Sequence, residues 1–394
     1  RISFIRRNLT KFLIAFFLIL LLFFLNTPRV MAEETGESVS EDLYQEQVEK
    51  SGANDLWGDL PDSTKELMNH LGAVNGDFRN IGKITPQEFF SMIFGLTGKE
   101  GSTPLKAAAS SIAIMVLCAM VSALRLSVGT EQIGSAVGVV GALCVGVCVV
   151  EPLIYSIVAA CAVIKTAAGF SLTTIPIMGG ILLAGGQPVS AASWQLLTAA
   201  AGNGVELISA QILAPAMRIF LAISIVSSLS PDLKLSGICQ AFSKGVKWIL
   251  GFLMTVFTGL LTMREMVSAS VDTGSGRAAK FVVSSFVPVV GSALSEAIHT
   301  VNGCVGILKS GVGAFVLLAE AIIFLPSILS CLVWIILLSF CAGVGDIFAL
   351  KELSDLLRAC SSVMETLLAI LICSLTVLTV SSVLLVIVGG GNTA

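Results

Sequence analysis

Charge is scarce in this chain. Only 12% of its 394 residues are Asp, Glu, Lys or Arg, against about 25% in a typical soluble domain. A surface so poor in charge excludes an ordinary soluble enzyme. Histidine is scarcer still, with only His70 and His299, so a multi-histidine metal centre is out of reach. No cysteine lies between Ala32 and Ala107, which excludes a disulfide framework there. No P-loop, GxSxG, HExxH or dinucleotide fingerprint occurs, and with them go the chemistries that those spacings serve.

Apolar length fills the gap. Hydrophobic residues make up 55% of the chain, and mean hydropathy is +0.93. Continuous apolar runs of about 18 residues or more read as membrane helices. They do not alternate, which excludes a barrel. The predicted fold is therefore all-α: a polytopic helical membrane protein with about seven to ten membrane helices, some broken or re-entrant.

The ends divide the chain into three parts. Arg6, Arg7 and Lys11 precede an apolar run from Phe12 to Leu25, and Val30-Met31-Ala32 fits a small-residue cleavage site. Residues 1–32 are expected to be a signal peptide. Residues 33–106 are then an exported acidic segment: Glu33 to Glu100 holds fourteen acids and five bases, a local balance of −9. Such a balance does not suit nucleic acid. Its first part, to about Asn54, is expected to be loose for want of large apolar residues. His70 reads as a surface residue. Thr85-Pro86-Gln87-Glu88 is a capping box with proline at the first helical position. The apolar helix that follows suits either the membrane interface or the end of the bundle.

Residues 107–394 form the multi-pass domain. Spans are predicted at Ala107–Leu124, Ile133–Val150, Ala167–Gly186, Trp248–Met263, Phe281–Ile298 and Thr366–Val388. Trp194–Leu229 and Gly311–Ala349 each split into two, the latter near Pro326. Counting from an exported segment places Lys234, Lys244 and Lys247 inside, as the positive-inside rule asks. The same count places Arg264, Arg277 and Lys280 outside, so one mid-chain segment is suspected not to cross. Gly134, Gly138, Gly141 and Gly146 thin one helix for close packing, within the chain or in an oligomer.

Ionisable residues in apolar runs mark functional candidates: Glu151, Lys165, Glu206, Arg218, Glu296, His299, Lys309 and Glu320. Most stand near predicted helix ends, where long side chains reach the interface. Glu206 and Arg218 are intramembrane charges that could pair. Cys144 and Cys148 share a helix face, but nothing near completes a zinc set.

The segment from Arg277 to Gly303 is the densest in polar groups. At 100° per residue, Lys280, Ser284, Pro288, Gly291, Ser292, Ser295, His299 and Asn302 fall within one arc of about 120°, bordered by Glu296. This face packs on protein or lines a lumen. Ser295 and His299, at i and i+4, are the only weak pointer to a nucleophile–base pair.

KFVVSSFVPVVGSALSEAIHTVNG, followed by LKSGVGAF, resembles the signature region of the stage III sporulation protein AE family. The similarity extends through LAPAMRIFLAISIVSSLS and KWILGFLMTVFTGLLTM. Ser292 stands where the family usually has glycine, and Glu296 where it often has aspartate. The resemblance implies a non-enzymatic component, without cofactor or metal, of a channel-like secretion complex. That complex lies in the mother-cell membrane around the forespore, with the N-terminal segment outside the cytoplasm. It also implies the other stage III A operon proteins as partners; membrane lipid is a further partner expected from the apolar spans, and a homo-oligomer is the alternative that the small-residue face leaves open. The competing reading is a stand-alone small-solute permease, which broken helices and midplane polar groups would serve.

Overall fold

The computed structural model describes residues 46, 48–72, 86–125, 132–208, 212, 214–229, 237–239, 241–260 and 291–387. Among them regular structure is helical throughout. In chain order the helices are α1 (Asp55–Gly58), α2 (Asp62–His70), α3 (Pro86–Glu100), α4 (Ser102–Arg125), α5 (Gln132–Ala184), α6 (Pro188–Leu207), α7 (Ala214–Leu229), α8 (241–260), α9 (Gly291–Ile347) and α10 (Lys351–Ile387).

Two long hairpins organise the bundle. The first joins α5 to α6. Gly186, in the left-handed region at φ 71°, ends α5, and the Gln187 N–H reaches back to the Leu182 carbonyl. The second joins α9 to α10 through Ala349, at φ 57°, with the Leu350 N–H bonded to the Gly345 carbonyl. Both are Schellman-type endings, in which a left-handed residue lets the chain satisfy the last carbonyls and reverse. α9 and α10 pack along one another and form the centre, while α5 lies against both. Leu353, Leu356, Leu357, Met364, Leu367 and Leu371 of α10 are fully or almost fully buried, as are Leu318, Ile322 and Phe324 of α9.

Four described helices contain stretches long and apolar enough to cross a membrane: Ser102–Ser122, Gly138–Ala184, Val305–Ile347 and Lys351–Val383. A shorter apolar helix covers Pro215–Ser227. The outer faces carry exposed apolar side chains suited to lipid, including Leu117, Met120, Val147, Tyr155, Trp248 and Phe252.

The span assignments of the sequence need correction in two places. The spans predicted at Ile133–Val150 and Ala167–Gly186 belong to one continuous helix of 53 residues with Pro152 and Pro176 inside it. Gly311–Ala349 does not break at Pro326, but runs within one helix of 57 residues. A proline removes one amide donor from the ladder; Pro326 lies among buried neighbours of α9, whereas Pro152 is half-buried and Pro176 exposed on α5, and the helix runs on through each. At 1.5 Å per residue, α9 is about 85 Å long, far beyond a hydrocarbon core of about 30 Å. Only a part of α9 fits the core at ordinary tilt. The division of Trp194–Leu229 into two helices is as predicted, at α6 and α7. Phe281–Phe286 and the rest of residues 261–290 lie outside the described residues.

The acidic segment is better packed than its composition implies. Val48, Ala53, Leu56 and Met68 are at most 1% exposed and join the core. Residues 48–51 are helical, so the expected loose stretch does not reach Asn54. Trp57 faces Phe315 of α9 at 6.2 Å between ring centroids, and Gly52 lies beside Ile177 of α5. A few well-spaced apolar residues suffice because the bundle supplies the rest of their core. α3 begins at Pro86, as the capping box predicts, and it packs against α9. Thr85 lies outside the described residues.

Several glycines of α5 face neighbours within the chain. A Cβ on Gly138 would meet the Glu352 carboxylate at 2.7 Å, and one on Gly141 would meet Cys118 Sγ at 2.5 Å. Gly146 faces Leu356 at 3.8 Å. These glycines bring α5 close to α4 and α10.

Candidate functional site

Where α5, α6, α9 and α10 meet, the bundle interior turns polar. Glu320, in the middle of α9, is 0% exposed. Its run, Leu317-Leu318-Ala319-Glu320-Ala321-Ile322-Ile323, is otherwise apolar, so helix propensity and burial carry the carboxyl inward with its neighbours. From α10, the Ser382 hydroxyl donates to Glu320 Oε1 at 3.1 Å. The same hydroxyl lies 3.2 Å from the Leu378 carbonyl, so its one proton is shared between two acceptors. From α5, Ser171 faces the same carboxyl. Yet Ser171 Oγ and Glu320 Oε2 both lack a hydrogen-bond partner among the described residues.

Two further polar ties flank this point. Trp194 of α6, 2% exposed, donates its indole N–H to the Ser381 carbonyl at 3.1 Å. Lys309 of α9, also buried, donates from Nζ to Gln187 Oε1 at 3.3 Å. Gln187 is the residue that turns α5 into α6, so this contact pins the first hairpin to α9. Thr198 on α6 and Thr379 on α10 each carry a buried hydroxyl without a partner among the described residues. A buried polar group costs stability unless bonded, and an unpaired ionised carboxylate costs far more. A seam of this kind is therefore either a site or a strain on the fold.

The residues selected from sequence are distributed differently. Lys280, Ser284 and Pro288 lie outside the described residues. Gly291, Ser292, Ser295, Glu296, His299 and Asn302 occupy the first turns of α9, and their side chains lie outside the described set. Glu206 pairs with Lys165 of α5, at 3.7 Å, on a partly exposed surface. Arg218 of α7 is exposed. An exposed pair of that kind contributes little, about 0–1 kcal/mol. Glu320 and Lys309 are both buried along a continuous helix, so the helix-end explanation does not hold for them.

A family model for stage III sporulation protein AE matches residues 70–390. The chain belongs to the stage III sporulation protein AE family. The match takes in α3 to α10 and the polar seam. Stage III sporulation protein AE of Bacillus subtilis (strain 168) is 24% identical over 287 residues, covering 73% of this chain and 70% of that protein. No solved structure matches the chain. Family membership supports a role in sporulation, and the four long apolar helices fit a multi-pass membrane protein.

Among the described residues no group of three or more His, Cys, Asp or Glu side chains is placed to hold a metal ion. Cys144 is exposed and Cys148 half-buried, both as free thiols. Sequence reading singles out Glu320 as an ionisable residue in an apolar run, but not Ser171, Gln187, Trp194 or Ser382. The serines and the tryptophan are unremarkable in a membrane helix. The two serines become a site only by converging on one carboxyl from separate helices, and the tryptophan ties α6 to the backbone beside Ser382.

Proposed function

We propose that this chain is a structural, non-enzymatic membrane component of the channel-like complex built by the stage III A operon proteins. The complex lies in the mother-cell membrane around the forespore. The observation that carries this reading is the family match over residues 70–390. The packing agrees with a scaffold: α9 and α10 form a closely filled centre, and the N-terminal helices dock on that same body through Trp57 and Phe315. An exported N-terminal segment held this way presents its acidic surface to partners between the two membranes. The beginning of α9, with Ser292, Ser295 and His299 on one helical face, is where the chain meets another helix or a lumen.

Deletion of the gene is expected to stop sporulation after engulfment while vegetative growth stays normal. Normal spore yield from a clean deletion would overturn the proposal. Single cysteines at Ser284, Ser292 and Ser295, in a background without the native cysteines, distinguish the two roles of that face. Labelling by a water-soluble thiol reagent supports a lumen, and protection supports packing.

A further inference from the structure

We propose that Glu320, Ser171 and Ser382 form an occluded proton-binding site inside the helix bundle, with the proton resident on Glu320 Oε2.

The argument is one of satisfying groups that have no water. Glu320 is fully buried, and the hydrogen bond it accepts from Ser382 comes from a hydroxyl that is itself shared. A carboxylate in that position would hold a full negative charge with, at most, two hydroxyl donors, Ser382 and Ser171, and no water or counter-charge to offset its burial. No cation faces it. On α5, the nearest charged side chain is Lys165, which pairs with Glu206 of α6. On α9 itself the nearest is Lys309, which is bonded to Gln187. On α10 it is Glu365, far from Ser382 along the helix and of the wrong sign. α4, which also packs on α9, meets it at Cys341 through Ala108, well along the helix from Glu320.

A single proton resolves the arrangement. Placed on Oε2, it removes the charge and turns an unpaired acceptor into a donor. Ser171 Oγ, the other buried atom without a partner, faces the same carboxyl and becomes its acceptor. Oε1 remains the acceptor for Ser382. Each of three helices then contributes one group to a chain that runs from Ser382 through the carboxyl to Ser171. The proton arrives from water and leaves to water, with no other reactant. Sodium fits less well, because hard cations are held by several oxygen ligands and, among the described residues, only two hydroxyls join the carboxyl here.

The test uses purified full-length protein in liposomes and stands apart from any assembly with partners. Infrared difference spectra between the wild type and Glu320→Gln are expected to show the carbonyl band of a protonated carboxylic acid at neutral pH. Ser382→Ala, which keeps the acid but removes its donor, is expected to move that band to higher frequency. It serves as the reporter if Glu320→Gln fails to fold. Adding sodium is expected to leave the band in place. Carboxylate bands alone at neutral pH, a band unmoved by Ser382→Ala, or loss of the band on adding sodium would each overturn the proposal.

Discussion

Replacing Gly141 by alanine tests the close approach of α5 to α4 and α10. The added methyl would sit 2.5 Å from Cys118 Sγ and 3.3 Å from Leu353 Cδ1. Leu353 is fully buried and Cys118 nearly so, so neither can swing into open space. Overpacking of this kind costs about 1–3 kcal/mol. Against it stands the gain of about 1 kcal/mol from exchanging glycine for alanine within a helix. The expected net result is destabilisation by about 0–2 kcal/mol. Gly146→Ala is the matched control, because its methyl meets Leu356 at an ordinary 3.8 Å. It keeps the propensity gain without the clash and is expected to raise stability. The measurement is the apparent unfolding midpoint of the detergent-solubilised protein, compared at one heating rate because such transitions are often irreversible. Cys118→Ala removes the sulfur and is expected to relieve the Gly141→Ala defect, giving a favourable coupling between the two sites. Equal midpoints for the two alanine variants, with no coupling to Cys118, would refute this packing. A change of oligomeric state in Gly141→Ala at unchanged midpoint would place the glycine at an interface between copies instead.

Two other predictions probe what joins separate parts of the chain. Trp194→Phe keeps most of the ring but loses the indole donor to the Ser381 carbonyl, and is expected to cost about 1–3 kcal/mol, read as a lower unfolding midpoint. Leu56→Ala empties a fully buried position in the N-terminal segment. If that segment shares its core with α5 and α9, the loss of about 2–5 kcal/mol appears as a lower midpoint for the whole protein. A separate early transition with the main one unchanged would mean that the two parts unfold independently.

Much of the architecture is legible in residue order. Long apolar runs between charged residues locate α4, α5, α9 and α10, because in a bilayer a continuous backbone must bond to itself. Pro86 marks the start of α3, since proline suits the first turn, where no amide donor is needed. The prolines inside α5 and α9 mislead. Read locally, Pro152 and Pro326 are places to break a helix, but each removes only one hydrogen bond from a helix of more than fifty residues that runs on through it. The acidic segment misleads in the opposite direction. Its composition looks too polar to fold, yet Leu56 and Met68 are buried against residues of the bundle.

The sequence alone determines the solvent of this protein and its family. Both follow from local properties, the length of apolar runs and the order of residues in a signature. Tertiary structure decides which polar groups have partners. Glu206 finds Lys165 rather than Arg218, and Glu320 finds Ser382 and Ser171, because helix packing sets those distances. A carboxyl in an apolar run is visible to any reader of the sequence. That it sits sealed among three helices, with one oxygen bonded and the other waiting for a proton, depends on side chains more than sixty residues away in the chain.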